Sequence, residues 1–255
     1  MLSRESILNE LSTIEEVGNL RVLLAVESGS RCWGFASPDS DYDVRFVYAR
    51  PLQDYLRLGK HRDTIEWRLD DVYDVAGWDI SKYLRLLRSS NPSAFEWLGS
   101  TIIYTEAPEF CAVRELASEC YNSAAGVHHY LGMAKNNWHA MEGEHVKLKK
   151  YLYVVRALLA ARWATSRWTP PAMRFAELCE AYLEPEMKPT IDAVLAEKAR
   201  GDETALHVRI PELDEWVERT MASVEEQASH VKPVAKLSWE PFDDVFRTIV
   251  APQMP

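Results

Sequence analysis

The sequence of 255 residues lacks the features of several large classes of protein. No apolar run approaches the ~20 residues that a membrane-spanning helix requires, so we expect no membrane segment. The four cysteines form no Cys-x-x-Cys pair, which argues against a zinc site and against a disulfide framework. The N-terminus is charged and continues into an amphipathic pattern, unlike a signal peptide. From these absences we expect a cytoplasmic protein.

Basic residues are outnumbered by acidic ones, 29 to 39, but they are enriched in one part of the chain. The formal net charge is −10, which argues against indiscriminate binding to nucleic acid. Between residues 135 and 174, however, eight basic residues stand against two acidic ones, an excess of six positive charges. This distribution fits an anionic ligand held locally, such as a nucleoside triphosphate, a tRNA end or a phosphorylated metabolite.

The most informative pattern joins a Gly-Ser turn to a pair of aspartates. Residues 20–26 form an apolar run that predicts a buried strand, and Gly29 and Ser30 follow it closely. Asp41 and Asp43 lie at the start of a second predicted strand. Since side chains at i and i+2 of a strand point to the same face, both carboxylates can converge on one point.

This combination of residues predicts a metal site beside a phosphate site. Two carboxylates brought together repel each other unless a cation lies between them. Oxygen ligands without nearby Cys or His favour Mg²⁺ or Mn²⁺ over zinc. A small residue at the turn lets backbone N–H groups approach an anion, and the start of the next helix adds a favourable dipole. The alternative interpretation is an ordinary turn followed by a solvated acidic loop.

With these residues the chain resembles the DNA polymerase β-like nucleotidyltransferase superfamily, whose motif is Gly-Gly or Gly-Ser followed at a distance by Asp-x-Asp. The resemblance is specific for a branch of predicted bacterial and phage nucleotidyltransferases, some linked by name to an RNA-repair pathway. The matching segments are residues 27–35, 40–46, 77–79, 91–92, 96–98 and 149–153. The resemblance implies that Asp41 and Asp43 bridge the two ions of a Mg²⁺ (or Mn²⁺) site.

Two-metal nucleotidyl transfer also uses a third carboxylate, on a neighbouring strand, that helps to activate the attacking hydroxyl. Asp74 lies within a predicted strand over residues 72–78 and is our first choice as the third metal ligand. Asp79 is the rival, although its position before a predicted helix also suits an N-cap. Glu66 and Asp71 are remoter options.

The nucleotide-binding candidates lie on the turn and next to the aspartates. Gly29 and Ser30 are expected to contact the β- and γ-phosphates through backbone N–H groups and the Ser30 hydroxyl. Ser40 has two open interpretations, because it could orient a metal-bound water or cap its own turn. Arg45 lies two residues after Asp43 on the same strand face, and we favour a structural ion pair with the carboxylates over a phosphate contact.

A second group of candidates lies in the C-terminal half. Lys149 and Arg156 share one stripe of a predicted helix, and one interpretation is that Lys149 or Lys150 closes over the triphosphate together with Arg156. The other interpretation is a solvated basic face. Glu96 is flanked by large apolar residues, and a buried carboxylate must be paired or protonated. We therefore expect a cation from the helical half beside Glu96.

The order of predicted elements indicates an α+β protein with two domains. A small mixed-sheet catalytic domain over residues 1–105 precedes an all-helical half, residues 106–255, that completes the active-site cleft. In the first domain we predict strands over residues 20–26, 42–48, 64–69 and 72–78, and helices over residues 4–17, 80–88 and 92–98, with Ser3 as the first N-cap. In the second we predict helices over residues 107–121, 123–141, 144–167, 173–182, 187–200 and 211–229.

The function expected from these observations is transfer of an NMP from an NTP to a hydroxyl or phosphate, with release of pyrophosphate. The acceptor stays open between an RNA end, a protein side chain and a small molecule. An alternative is a catalytically silent nucleotide-binding or antitoxin-like partner module. The presence of Gly29, Ser30, Asp41 and Asp43 argues against that alternative, because such modules usually lose a metal carboxylate.

Overall fold

The structure, a computed structural model, describes residues 4–59, 61–70, 72–141, 143–200, 205–232 and 234–251. The first elements are α1 (Arg4–Gly18), β1 (Arg21–Glu27), α2 (Gly29–Trp33), β2 (Tyr42–Ala49), α3 (Leu52–Tyr55), β3 (Thr64–Leu69), β4 (Tyr73–Asp79), α4 (Ile80–Arg88), α5 (Pro92–Gly99) and β5 (Ile103–Glu106). They are followed by α6 (Cys111–Cys120), α7 (Ser123–His139), β6 (His145–Val146), α8 (Leu148–Arg167), α9 (Phe175–Tyr182), α10 (Lys188–Lys198), β7 (His207–Val208), α11 (Pro211–His230) and α12 (Glu240–Val250). The predicted α+β class is confirmed.

The N-terminal sheet is mixed because one of its strand pairs is parallel. The strand order is β3-β4-β2-β1-β5. β2 and β4 run parallel, whereas the other neighbouring pairs are antiparallel. The starts of β2 and β4 therefore lie at the same edge of the sheet as the end of β1. This edge is where the predicted Asp-x-Asp motif, Asp74 and the Gly-Ser turn meet.

Helices cover both faces of this sheet. On one face α1 buries Ile7, Leu11 and Ile14, which its 3.6-residue period places on a single side of the helix. The apolar cluster on the opposite face contains side chains of β1 and β2 together with others from α4, α5, α6 and α12. A fully buried side chain of this size contributes about 1.5–3 kcal/mol, so each cluster stabilises the sheet.

α8 is the central helix of the C-terminal half. Its buried residues extend from Leu148 to Ala164 and occupy more than one side of the helix, as expected for a helix surrounded by others. It packs against α7, α9, α10 and α11. In the described part of the chain, no helix is both long and apolar enough to cross a membrane.

Some details of the C-terminal half differ from the sequence prediction. α12 was not predicted, although Phe242, Ile249 and Val250 are buried in the sheet cluster. β6 and β7 form an antiparallel two-stranded ribbon, so the helix predicted from residue 144 begins at Leu148 instead. Strands of two residues are too short to give a periodic signal. Ser3 lies outside the described residues, and the domain division at residue 105 stays a prediction.

An ion pair connects the two halves of the molecule. Arg156 of α8 donates to Glu96 of α5, with 3.0 Å between Nη2 and Oε1, and the Tyr130 hydroxyl donates to the same oxygen. The side chain of Arg156 is only 3% exposed and that of Glu96 12%. The guanidinium also lies over the ring of Trp33, 4.1 Å from its centroid. The cation expected beside Glu96 is thus Arg156, which is buried and not part of a solvated face.

Glu96→Gln should destabilise the protein by about 3–5 kcal/mol, because it leaves the buried guanidinium without its counter-charge. The double variant Glu96→Gln with Arg156→Met should lose less than the sum of the single losses, as measured by urea unfolding. Glu106→Gln is the matched control, since Glu106 pairs with Arg114 at a more exposed position. Its loss should be ~1 kcal/mol or less. Equal losses at the two positions would contradict this account.

Candidate active site

The parallel pairing of β2 and β4 places two of the predicted carboxylates side by side. Asp43 lies directly opposite Asp74 in the register. Asp41 immediately precedes β2, and its charge acts on the Asp43 carboxyl group. Within the described chain, no hydrogen bond or salt bridge engages the Asp41 carboxylate. The three aspartates predicted from the sequence are therefore neighbours at one sheet edge.

The Gly-Ser turn lies directly against Asp43. Gly29 has φ +58°, a conformation that favours glycine, and it begins the short helix α2. A Cβ atom at this position would stand 1.8 Å from Oδ2 of Asp43, so only glycine allows this approach. The backbone N–H of Ser28 donates to the Asp43 carbonyl at 2.8 Å. Gly29, Ser30 and Asp43 therefore belong to one compact structure.

Glu27 is a residue of this site that the sequence analysis did not single out. Its side chain is buried; Oε1 accepts a hydrogen bond from the backbone N–H of Asp43 at 3.0 Å, and Oε2 accepts one from the Tyr104 hydroxyl. Burial raises the pKa of the Glu27 carboxyl to about 7, against the effect of these two hydrogen bonds. In the sequence, the signal that could have identified Glu27 was a carboxylate at the end of a predicted apolar strand. Glu27 fixes the backbone from which Asp43 projects.

The loop that carries Asp41 is held by two cations from other elements. Arg31 of α2 donates to the carbonyl oxygens of Ser40 and Asp41, and its guanidinium lies 3.9 Å from the centroid of the Tyr42 ring. Lys198 of α10 is buried, and its Nζ lies 3.1 Å from Oγ of Ser37.

Inside the same loop, the Ser40 hydroxyl accepts from the backbone N–H of Ser37 at 3.0 Å. Of the two interpretations of Ser40, this contact matches the one in which it caps its own turn.

The structure also distinguishes the environments of the candidate third carboxylates. Arg45 donates to Oδ2 of Asp74 at 2.6 Å and to Oδ1 of Asp43 at 3.1 Å, which is the expected ion pair. Asp79 is fully buried and caps α4 by accepting from Ser81. Glu66 lies on β3, opposite Ala76 of β4. Asp71 is outside the described residues.

The electrostatics of Asp43 reflect its burial first and the neighbouring charges second. Burial raises the pKa of the Asp43 carboxyl from 3.8 to about 6; Arg45 opposes the shift, and the charges of Asp41 and Asp74 add to it. A site that penalises its own carboxylates in this way favours a bound cation.

The donor atoms are all oxygens, as Mg²⁺ and Mn²⁺ prefer. No group of three or more His, Cys, Asp or Glu side chains among the described residues is arranged around one point, however. Asp41 and Asp43 are thus two neighbouring carboxylates available to a divalent ion, whereas Asp74 is engaged by Arg45.

Lys149, the predicted nucleotide-binding residue of the helical half, lies in the first turn of α8. It lines a cavity of about 190 Å³ together with Leu148, Glu197, Lys198, Arg200, Ala205 and His207. Lys198 connects this cavity to the acidic loop through its contact with Ser37. Lys149 is therefore next to a residue that supports the site, and its contact with a nucleotide stays a prediction.

Comparison with known proteins identifies the family to which the chain belongs. The profile of a family described as "RNA repair pathway DNA polymerase beta family" matches residues 3–248. The chain belongs to this family of polymerase β-like nucleotidyltransferases, as its resemblance indicated. A relative from Bacillus subtilis (strain 168), described as the uncharacterized protein YcgL, is 40% identical over 236 residues, which cover 91% of each chain.

The raised pKa of Asp43 predicts how stability depends on pH in the metal-free protein. An acid whose pKa is higher in the folded state binds more protons there, so stability falls as pH rises from about 4 through about 6. Two pKa units correspond to a loss of about 3 kcal/mol as an upper value. In the presence of a chelator, the free energy of unfolding of Asp43→Asn should fall less than that of the wild type between pH 4.5 and pH 7.5.

Urea unfolding of wild type and Asp43→Asn at several pH values measures this difference. Glu27 is present in both proteins, so its own titration contributes to both curves. Parallel curves of stability against pH for the two proteins would show that the pKa of Asp43 is not raised in the folded state.

Proposed function

We propose that this protein is a Mg²⁺- or Mn²⁺-dependent nucleotidyltransferase that moves an NMP from an NTP to an acceptor and releases pyrophosphate. The observation that carries the proposal is the register of Asp43 opposite Asp74, with the backbone of Gly29 against the Asp43 carboxylate. This arrangement puts a candidate phosphate cradle, a candidate metal ligand and a candidate base within one small region. Membership of the polymerase β family supports the same reaction class.

The chain's own residues would divide the work as follows. The backbone N–H groups at Gly29 and Ser30, with the Ser30 hydroxyl, bind the β- and γ-phosphates. Lys149 contributes positive charge from the helical half. Asp41 and Asp43 are the candidate ligands of the divalent ion, which would neutralise phosphate charge and favour departure of pyrophosphate; Asp74, predicted from the sequence as a third ligand, is engaged by Arg45.

Asp74 is the group that we assign to the attacking hydroxyl. Its carboxylate is 30% exposed and lies on the strand next to Asp43, so an acceptor can reach it from solvent. It accepts the hydroxyl proton as the new phosphodiester bond forms. Arg45 orients Asp74 for this step through its 2.6 Å contact.

We propose an RNA end as the acceptor. The family description places these proteins in RNA repair. Arg156 of the basic stretch 135–174 is buried against Glu96, but Lys150, Arg167 and Arg174 are at least partly exposed and supply charge for a polyanion within an acidic protein. A protein side chain or a small molecule would be recognised by different contacts, and each is a possible outcome of the same experiment.

Incubation with NTPs labelled at the α-phosphate, with Mg²⁺ or Mn²⁺ and with RNA, protein and metabolite fractions, tests the reaction and the acceptor together. Label should enter RNA from α-labelled NTP and not from γ-labelled NTP. Nucleotide binding without transfer to any fraction would instead favour the catalytically silent module.

Asp74→Asn should reduce turnover by about 10²-fold or more with little change in NTP affinity, because the carboxylate acts on the attacking group. Asp79→Asn is the matched control on the same strand, since Asn caps a helix about as well as Asp. Steady-state kinetics and thermal unfolding of both variants separate a catalytic loss from a folding loss. The reverse pattern would exchange the roles of the two aspartates.

Lys149→Glu should raise the NTP dissociation constant at least tenfold, since a charge-assisted phosphate contact contributes about 1.5–3 kcal/mol. Lys150→Glu is the control, because Lys150 is the next residue of α8 and is not among those described as lining the cavity. A purely solvated basic face predicts instead that both variants keep NTP affinity and lose only salt-sensitive RNA binding. Fluorescence titration with both ligands distinguishes these results.

A further inference from the structure

Arg45 occupies the position between the two paired carboxylates. Its Nη2 atom lies 2.6 Å from Oδ2 of Asp74 and 3.1 Å from Oδ1 of Asp43. Asp43 and Asp74 are side by side in the parallel register, so one group bridges both strands. This is where an ion shared by the two carboxylates would have to bind.

The guanidinium is held by the backbone as well as by the carboxylates. Its Nη1 atom donates to the carbonyl oxygen of Asp74 at 2.7 Å and to that of Val44 at 3.2 Å. The side chain of Arg45 is 19% exposed. Since one edge of the planar fork bonds carbonyl oxygens, the other edge is directed at the carboxylates even when their charge changes.

A second divalent ion at this position would compete with Arg45 for the same oxygen atoms. Mg²⁺ binds its oxygen ligands at about 2.0–2.1 Å. These distances are shorter than the 2.6 Å and 3.1 Å between Nη2 and the two carboxylate oxygens, so the ion would overlap Nη2. The two cations would also repel each other in a partly buried site. A polymerase-type site with two ions about 3.5–4 Å apart therefore conflicts with the contacts of Arg45.

The two oxygens of Asp43 face different partners. Oδ1 is bonded to Arg45, whereas Oδ2 lies against the backbone of Gly29, where phosphate is expected. Asp41, whose charge acts on the Asp43 carboxyl group and whose carboxylate has no hydrogen bond or salt bridge within the described chain, is the second carboxylate that could share an ion with Asp43. The environment thus offers one cation position on the nucleotide side and fills the other with an arginine.

We propose that Arg45 takes the place of the second divalent ion, so that the site binds one ion, at Asp41 and Asp43, with Arg45 between Asp43 and Asp74. This inference rests on the proposed function and specifies its metal content. Arg45 is a positioning residue: it holds Asp74 beside the reacting hydroxyl and compensates charge there. Asp74 then accepts the proton of the attacking hydroxyl and is not a ligand of the ion.

Counting bound Mn²⁺ by electron paramagnetic resonance tests this stoichiometry without relying on turnover. The protein is titrated with Mn²⁺ alone and with Mn²⁺ plus α,β-methylene-ATP. Wild type should bind one Mn²⁺ per chain at saturation, and Arg45→Gln should bind two, because the oxygens of Asp43 and Asp74 become available. Arg45→Lys keeps a positive charge and should bind one.

Arg68→Gln is the matched control. Arg68 also bridges two carboxylates, those of Glu10 and Asp70, from the edge strand of the same sheet. Loss of the Arg68 charge should leave the number of bound Mn²⁺ ions at one per chain. Thermal unfolding establishes that each variant is folded, and the wild-type count stands by itself if Arg45→Gln does not fold.

Two Mn²⁺ ions in wild type, or one in folded Arg45→Gln, would overturn the inference. Transfer of α-label by a wild type that holds two ions would leave the proposed function intact. A wild type that binds no Mn²⁺ and transfers no label would remove the proposed function and this inference with it.

Discussion

The Asp43 carboxylate lies beside two other acidic side chains at one sheet edge, and the cost of this arrangement explains the roles of its neighbours. Burial and like charge raise the pKa of Asp43 to about 6. Arg45 offsets part of this cost through its contacts with Asp43 and Asp74. Glu27 holds the backbone of Asp43, and Gly29 leaves room for its carboxylate. A change at any of these positions therefore acts on Asp43 first.

The helical half contributes to this edge through two buried cations. Lys198 reaches the loop before Asp41 through Ser37, and Arg156 holds Glu96 and stacks on Trp33, the last residue of α2. The turn and the acidic loop are thus each supported from outside the sheet. The C-terminal half is part of the site's framework, independently of whether it also touches the nucleotide.

Much of this arrangement was predictable from local patterns. Period-two alternation identified β2 and β3, a short segment bounded by polar turns identified β4, and the i, i+2 spacing of Asp41 and Asp43 indicated convergence. The choice of Asp74 over Asp79 as the candidate third carboxylate followed from its position within a strand, and its place opposite Asp43 agrees with that choice.

Long-range contacts were not predictable from the sequence. Lys198 and Ser37 are 161 residues apart, and no local pattern connects them. The role of Glu27 depends on the pairing of β1 with β2, which brings its side chain to the backbone of Asp43. α12, by contrast, was missed although its apolar residues at positions 242, 245, 246, 249 and 250 follow the period of an amphipathic helix; only its contact with the sheet is long-range.

The position of α12 has a consequence for how the protein is made. Its residues Phe242, Ile249 and Val250 complete the apolar cluster on one face of a sheet whose first strand begins at Arg21. Arg21 donates to the carbonyl of Ile249, 228 residues away. On the ribosome, the part of this face that α12 covers stays exposed after α4, α5 and α6 have emerged, until α12 follows them. Until α12 packs there, nascent chains present this apolar surface to chaperones.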